Sequence, residues 1–210
     1  MNSPIPDDKK KFITSLILPV GFVFLLWVIK ISEIIFNLNF TTVGILPGSL
    51  NGLPGILLAP LIHANIKHLF SNSLPILFLG TGIIYFYRNA SYKVILIIYL
   101  GTGILDWIFA RKAYHIGASG IIYGFVTFLF FSGIVRRDTR AIALALLVTF
   151  LYGSLIWGIL PIDSGVSWES HLFGSIMGIF CAFLYKNSDP AIKYDWENEV
   201  DNEKNHDDSE

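Results

Sequence analysis

The sequence predicts an all-α membrane protein, a bundle of six transmembrane helices with a membrane-associated first loop. Apolar residues make up 53% of the 210-residue chain, above the roughly 45–50% that is usual in soluble proteins, and the mean hydropathy is +0.60. A spanning helix needs roughly 20 mostly apolar residues. Six stretches meet or approach that length: 12–29, 69–87, 94–110, 119–135, 141–160 and 171–185.

Three regions follow from this pattern. We expect a cytoplasmic N-terminal segment over 1–11, a six-helix membrane domain over 12–185, and an acidic, disordered cytoplasmic tail over 186–210, because that tail has almost no apolar content. The basic run at 9–11 before the first apolar stretch also resembles a signal peptide. We favour a membrane anchor, because the stretch is too long for a signal-peptide core and no small-residue cleavage site follows it.

The positive charges predict the orientation in the membrane. If the N-terminus is inside, six crossings leave both termini in the cytoplasm, and cytoplasmic segments then carry most of the Lys and Arg residues, as the positive-inside rule requires. The cytoplasmic set is Lys9, Lys10, Lys11, Arg88, Lys93, Arg136, Arg137, Arg140, Lys186, Lys193 and Lys204, and the outer set is Lys30, Lys67, Arg111 and Lys112. A compact chain without a transit peptide or an extra spanning helix favours the bacterial plasma membrane.

The connection between the first two apolar stretches has an unusual composition. Residues 34–66 include no Lys, Arg, Asp or Glu, yet they contain four glycines and three prolines. This composition is incompatible with one regular spanning helix. We interpret the connection as a structured element that rests in the outer leaflet, with its backbone satisfied by its own turns. An ordinary glycine-rich extracellular loop is the alternative.

Two Gly-x-x-x-Gly pairs predict close helix packing at the outward end of the bundle. The pairs are Gly120 with Gly124 in the fourth stretch and Gly174 with Gly178 in the sixth. Small residues let membrane helices approach each other closely. His171 shares a helix face with the second pair and Ser119 adjoins the first, so this packing would bring the two side chains within hydrogen-bond reach. Packing without any site is the commoner meaning of such pairs.

Ser119 and His171 are each the first residue of an apolar stretch, and together they form a candidate catalytic pair. A serine hydroxyl is a weak nucleophile at its free pKa and needs an adjacent base to accept its proton. A neutral imidazole suits that role near neutral pH. We predict a two-residue Ser–His site for attack on a carbonyl group.

Hydrogen-bond donors for a developing oxyanion are present at the N-termini of two predicted helices. The helix that begins at Ser119 has free backbone N–H groups in its first turn, where the helix dipole favours negative charge. His68 and Asn72 are four residues apart and share one face of the second helix, so their side chains can add donors. Hydrogen bonding between helices explains this spacing equally well.

Three acids near the outer end remain to be assigned. Asp106 lies at membrane depth and is a functional candidate by default, or it pairs with Arg111 or Lys112. We expect Glu169 and Asp163 to be solvated in the outer loop before His171.

These residues resemble the rhomboid family of intramembrane serine proteases. The resemblance lies in three motifs: the segment HANIKHLFSN over 63–72, Gly117-Ala118-Ser119-Gly120 with Tyr123, and His171-x-x-Gly174-x-x-x-Gly178. It implies a serine endopeptidase that cleaves peptide bonds of transmembrane segments near the outer leaflet. Ser119 is then the nucleophile and His171 the general base, and Tyr123 packs on the imidazole. His68, Asn72 and the Ser119 backbone then form the oxyanion hole.

The resemblance also implies the partners. The substrates would be single-pass membrane proteins in the lipid bilayer, and water would enter through a polar cavity that opens outward. We expect no cofactor, no metal and no nucleic-acid partner, and the sequence does not indicate an oligomeric state.

Three other functions compete with proteolysis. Inactive relatives bind membrane clients, but they lose the serine or the histidine, whereas this chain retains both. A metal site built from His63, His68, His115 and His171 is disfavoured, because no His-Glu-x-x-His motif is present. A proton-coupled transporter that uses Asp106 is disfavoured by the absence of internal repeats.

Overall fold

A computed structural model describes residues 6–136, 139–161 and 167–189 of the chain. Within these residues the chain is helical and contains no strand longer than an isolated bridge, which confirms the predicted all-α fold class. The α-helices are α1 (Pro6–Ile35), α2 (Gly55–Leu58), α3 (Ile66–Phe86), α4 (Ser91–Phe109), α5 (Ser119–Arg136), α6 (Thr139–Tyr152) and α7 (Trp168–Leu184). Short 3-10 segments cover Thr41–Val43, Leu50–Gly52, Ala59–Leu61 and Gly153–Ile159.

Helix α7 and five longer helical segments of the described residues have the apolar character of membrane spans. Within the described residues, five are long enough to cross a bilayer: Asp8–Ile35, Ile66–Phe86, Ser91–Phe109, Ser119–Arg136 and Thr139–Ile159. The sixth, α7, is apolar but has 17 residues, which span about 26 Å at 1.5 Å per residue. Large apolar side chains such as Phe78 (65% exposed) and Phe150 (87% exposed) point away from the bundle, as surfaces that face lipid do. The chain is an integral membrane protein.

Helix α5 is the centre of the bundle. It packs against α7, α6, α3 and α4, whereas α1 packs on α3 at the periphery. The core side chains come from all the central helices: Ile83, Val94, Ile98, Phe128, Leu129 and Cys181. Cys181 is completely buried and its thiol is free, as suits a small packing residue.

Helices α5 and α7 touch along their backbones. A Cβ atom added to Gly174 would lie 1.9 Å from the carbonyl oxygen of Gly120, and one added to Gly178 would lie 2.1 Å from that of Gly124. Any side chain at these positions would separate the helices, so glycine is required for the contact. The contact brings the heads of both helices to the same end of the bundle.

The first connection folds on itself and supports the segment before α5. Ile45 and His115 form an isolated antiparallel bridge, in which each backbone N–H donates to the other carbonyl at 2.9–3.0 Å. The Gly117 N–H donates to the carbonyl of Ala59 at 2.9 Å. Leu50 and Leu57 on the same connection are exposed by 79% and 58%. These apolar side chains suit an element that rests in the outer leaflet, which remains a prediction.

Several helix boundaries differ from the predicted apolar stretches, and α3 and α4 each begin three residues before their predicted starts. Helix α1 begins at Pro6 and continues beyond the predicted 12–29 to Ile35. The predicted stretch 141–160 is not one α-helix, because α6 ends at Tyr152 and a 3-10 segment follows it. Helix α7 begins at Trp168, three residues before its predicted start, and Asp163 in the preceding loop lies outside the described residues.

The described start of the predicted disordered tail is ordered. Asp189 is 8% exposed, and its carboxylate accepts hydrogen bonds from the backbone N–H groups of Asn89 (2.8 Å) and Ala90 (3.2 Å) at the head of α4. The Ala90 N–H is also donated to the carbonyl of Tyr87 at 3.1 Å, and the Asp189 carboxylate completes the hydrogen bonding at this helix N-terminus. Residues 190–210 lie outside the described part of the chain.

Candidate active site

The side chains of Ser119 and His171 meet at the heads of two packed helices. Ser119 is the first residue of α5, and His171 lies in the first turn of α7. The Ser119 Oγ atom is 2.8 Å from the His171 Nε2 atom. His171 is only 6% exposed. Since α5 and α7 touch at Gly120 and Gly174, a short hydroxyl and an imidazole bridge the gap without bending either helix.

The other imidazole nitrogen determines which tautomer His171 adopts. Its Nδ1 atom lies 2.8 Å from the carbonyl oxygen of Gly158. A carbonyl can only accept a hydrogen bond, so Nδ1 carries the hydrogen and Nε2 presents its lone pair to the Ser119 hydroxyl. The sequence did not predict this partner, because a backbone carbonyl has no side chain to mark it.

Tyr123 covers one face of the same imidazole. The two rings are stacked, with centroids 4.1 Å apart and planes inclined by 7°. Tyr123 lies one helical turn after Ser119 on α5, which places its ring over the His171 side chain. The stack restricts rotation of the imidazole, and the hydrogen bonds at its two nitrogens restrict its tilt.

These side chains lie in one cavity of about 730 Å³. Its lining includes every side chain that the sequence predicted for the reaction: His68, Asn72, Ser119, Tyr123 and His171. Leu151, Tyr152 and Leu155, from α6 and the 3-10 segment after it, form another wall. The volume falls in the range of about 300–1,000 Å³ that is typical of ligand sites.

Donors for an anionic oxygen converge in this cavity. One amide hydrogen of Asn72 is donated to the carbonyl of His68 at 3.1 Å, which leaves the second for another acceptor. The Ser119 N–H is in the first turn of α5, where backbone donors lack intrahelical partners. The His68 ring lies over Gly117, where an added Cβ would come within 2.8 Å of the ring and the φ angle is +106°, so only glycine is tolerated there.

The acids near the site have other partners than the sequence suggested. Asp106 pairs with neither Arg111 nor Lys112 in the ion pairs of the described residues, and its Oδ2 atom instead accepts the Ser170 hydroxyl at 2.6 Å. Glu169 is buried rather than solvated, with its side chain 5% exposed and 3.4 Å from Arg111. The guanidinium balances its charge, which explains how a carboxylate enters the interior. The expectation of a solvated Glu169 was wrong.

His63 lies in the turn before α3 and is buried beside His68. The two rings are 5.1 Å apart in an edge-to-face arrangement. Burial, together with the nearby His68 and Lys30, lowers the pKa of His63 to about 4, so this ring is neutral at physiological pH. Within the described residues, no three His, Cys, Asp or Glu side chains are grouped as a metal site requires.

Fold and site together define a class of protein: a helical protein of the membrane that holds a hydrogen-bonded serine and histidine in an internal cavity. The Rhomboid domain family matches residues 50–188, which include every residue of this site. The chain therefore belongs to the rhomboid family, most of whose members are serine proteases and some of whose members are inactive.

Relatives occur in mycobacteria. An uncharacterized protein of Mycobacterium tuberculosis (strain H37Rv) is 33% identical over 172 residues, which are 78% of this chain and 72% of the relative. An uncharacterized protein of Mycobacterium leprae is 35% identical over 140 residues, which are 62% of this chain and 55% of the relative. Neither name states an activity.

Proposed function

We propose that the protein is an intramembrane serine endopeptidase that cleaves peptide bonds of transmembrane segments near the outer leaflet. The observation that carries this proposal is the 2.8 Å hydrogen bond between Ser119 Oγ and His171 Nε2, with the opposite nitrogen held by the Gly158 carbonyl. Such an arrangement of nucleophile, base and orienting acceptor is what serine hydrolysis requires. Membership of a family that consists mainly of proteases adds support.

In the first step, Ser119 Oγ attacks the carbonyl carbon of the scissile peptide bond. The hydroxyl proton passes to His171 Nε2, a C–O bond forms, and the carbonyl π electrons move to the oxygen. The Ser119 N–H, the Asn72 amide and the His68 ring are the donors for this oxyanion. Loss of one such donor typically costs about 10²–10³ in rate.

Collapse of the tetrahedral intermediate breaks the C–N bond. His171 Nε2 gives its proton to the leaving amine, and an ester on Ser119 remains. Water from the cavity then attacks the ester carbon while Nε2 accepts a water proton, and that proton returns to Ser119 Oγ as the carboxyl product leaves. Throughout this sequence the Nδ1–H stays on the Gly158 carbonyl, so a two-residue mechanism needs no acid beside the imidazole.

The substrates we propose are single-pass membrane proteins whose helix is unstable near the outer surface. A peptide carbonyl inside a helix is hydrogen-bonded and shielded by its neighbours, so the segment must unwind before Ser119 can attack. A local extended segment also fits a cavity whose walls come from several helices. The dyad lies at the N-terminal ends of α5 and α7, at the end of the bundle that the charge pattern assigns to the outer leaflet.

We further propose a bacterial plasma membrane location with both termini in the cytoplasm. The excess of Lys and Arg on the segments assigned to the inside supports this orientation. Reporter fusions test it: a fluorescent protein at the C-terminus should fold and emit, and alkaline phosphatase at the same position should be inactive. The reverse result would contradict the orientation.

Replacement of the proposed nucleophile tests the activity. Ser119→Ala should lower cleavage of a reporter single-pass substrate in liposomes by at least about 10³-fold and abolish labelling by a fluorophosphonate, while insertion and thermal stability stay unchanged. Ser154→Ala is the matched control, because Ser154 lines the same cavity outside the dyad, and it should retain both signals.

Two outcomes would contradict the proposal. Cleavage by the Ser119→Ala variant at the parent rate would exclude Ser119 as the nucleophile. A parent protein that binds the reporter but neither cleaves it nor takes up the label would indicate the client-binding function instead.

A further inference from the structure

The segments that precede Ser119 and His171 are joined by a line of hydrogen-bonded polar side chains: His115, Ser167, Ser170 and Asp106. His115 lies four residues before Ser119, and Ser167 lies four residues before His171. The His115 Nδ1 atom is hydrogen-bonded to the Ser167 Oγ atom. The segment before α5 is therefore hydrogen-bonded directly to the segment before α7.

The line continues from Ser167 into the interior of the bundle. The Ser167 Oγ atom is 2.9 Å from the Ser170 Oγ atom, and the Ser170 hydroxyl donates to Asp106 Oδ2 at 2.6 Å. Asp106 and His115 are each 2% exposed, and Ser170 is 8% exposed. Polar groups this deeply buried are costly unless they are hydrogen-bonded, so the line holds its members in fixed positions.

A count of hydrogens shows that the line is electrically neutral. Three contacts join His115, Ser167, Ser170 and Asp106, and two hydroxyls supply only two hydrogens. The His115 Nε2–H is already donated to the carbonyl of Arg111 at 3.0 Å. When the Ser170 hydroxyl donates to Asp106, the third hydrogen sits on His115 Nδ1; when the Asp106 carboxyl carries it instead, all three hydrogen bonds run in the opposite direction. In both forms His115 and Asp106 together carry no net charge. Neutrality is what a buried polar line requires.

We propose that Asp106, Ser170, Ser167 and His115 are positioning residues that set the separation of Ser119 and His171. None of the four is hydrogen-bonded to a reacting atom of the dyad; they act through the backbone. The Ser167 carbonyl accepts the His171 N–H at 3.4 Å, Ser170 adjoins His171 in the chain, and His115 is fixed to Ile45 by the bridge described above. This inference rests on the proposed hydrolytic function.

Replacement of single members of the line tests the proposal. Ser170→Ala and Asp106→Ala should each lower kcat about tenfold and change KM less than about twofold, because a displacement of 1 Å or less costs up to about 10²-fold in rate. Ser15→Ala is the matched control: Ser15 is also buried, on α1 away from the site, and its hydroxyl donates within its own helix to the carbonyl of Lys11 at 2.8 Å. It should stay within about twofold of the parent.

The conservative variant Asp106→Asn separates positioning from charge. Its amide nitrogen can donate the third hydrogen to Ser170, so all three hydrogen bonds can form while His115 is neutral. We expect Asp106→Asn to retain more than about half of the parent kcat. A loss in Asp106→Asn equal to that in Asp106→Ala would overturn the proposal.

A readout that needs no turnover keeps this inference distinct from the proposed function. The ¹⁵N signals of the His171 ring report its hydrogen bonds to Ser119 and Gly158. They should shift in Ser170→Ala and Asp106→Ala and stay at the parent positions in Asp106→Asn and Ser15→Ala. Identical spectra in all five proteins would overturn the positioning role, whereas shifted spectra with an inactive parent would reject only the hydrolytic function.

Discussion

The His171 imidazole is held on three sides by groups from two other segments, α5 and the 3-10 segment Gly153–Ile159. Nε2 faces the Ser119 hydroxyl, Nδ1 faces the Gly158 carbonyl, and the ring plane lies on Tyr123. No carboxylate contacts this ring in the described residues, so the backbone takes the orienting role that an aspartate has in a three-residue site. The position of one peptide group in the 3-10 segment therefore decides the tautomer of the base.

Gly158→Ala tests this orienting contact at the residue scale. An added Cβ would lie 1.9 Å from the Tyr123 hydroxyl, so the segment must shift and carry its carbonyl away from Nδ1. We expect kcat to fall by about 10–100-fold, measured with the liposome reporter.

Two companion variants define the cause of that loss. Gly153→Ala lies in the same 3-10 segment, but its Cβ would meet only Thr149 at an ordinary 3.7 Å, and it should retain parent activity. Tyr123→Phe in the Gly158→Ala background removes the clashing hydroxyl and should restore part of the rate. Equal losses in the two glycine variants would argue against a specific role for Gly158.

His63 predicts how stability depends on pH. Its pKa is about 4 in the folded protein and about 6.5 when unfolded, so the unfolded state takes up the proton first as the pH falls. Stability should therefore decrease from about pH 6.5 down to pH 4, by a few kcal/mol at most. Thermal melts in detergent across this range check it. The decrease should be smaller in His63→Gln, and an equal slope would contradict the assignment.

At the scale of elements, the α5–α7 contact decides whether a site exists. Ser119 and His171 lie at the heads of these helices, and both side chains are short compared with the usual 8–10 Å between packed helix axes. Only the backbone contact at the glycine pairs lets them meet. The same contact leaves α6 at the edge of the bundle, where its 3-10 continuation reaches the imidazole.

Gly174→Ala tests the helix contact. Because the added Cβ would lie 1.9 Å from the Gly120 carbonyl oxygen, the helices must separate, and we expect a loss of stability of about 1–3 kcal/mol with reduced labelling of Ser119. Gly82→Ala on α3 is the control, since a Cβ there has no neighbour within 4 Å. It should be neutral or stabilising by up to about 1 kcal/mol. Equal destabilisation by both variants would show that the contact is not specific.

At the scale of the whole molecule, the two ends of the bundle have different roles. The end at which α5 and α7 begin holds the cavity, the dyad and the buried polar line. The opposite end is closed by the Asp189 carboxylate, which joins the end of α7 to the head of α4 across 99 or 100 residues of sequence. The hydrogen bonds of Asp189 therefore stabilise the fold at the end of the bundle away from the candidate active site.

Asp189→Ala tests that separation. Loss of a carboxylate that caps a helix typically costs about 1 kcal/mol, so the melting temperature in detergent should fall. Asp189→Asn keeps one acceptor and should be intermediate. The kcat per folded molecule should stay at the parent value in both variants; a lower kcat would show that the two ends are coupled.

Much of this organisation is readable from the sequence. Six apolar stretches predict six spans because a bilayer admits only segments of a given length and polarity, and five helices of the described residues have that length and polarity. Helical periodicity places Gly174 and Gly178 on the face of His171, and Gly120 and Gly124 beside Ser119, so the spacing predicts close helix packing next to both residues. The motifs over 63–72 and 117–123 and at His171 carry the family likeness without any structure.

Other features exist only in the tertiary structure. Periodicity states which face of a helix is buried but not which neighbour covers it, so it cannot assign Ser170 to Asp106 or Glu169 to Arg111. The Gly158 carbonyl has no side-chain identity at all, and its contact with His171 depends on where the chain after α6 leaves the α-helical path. The sequence thus determined the spans and the candidate dyad, because these depend on local composition and spacing. The tertiary structure alone decided the partners that orient the dyad, because hydrogen bonds between distant segments depend on how the helices pack.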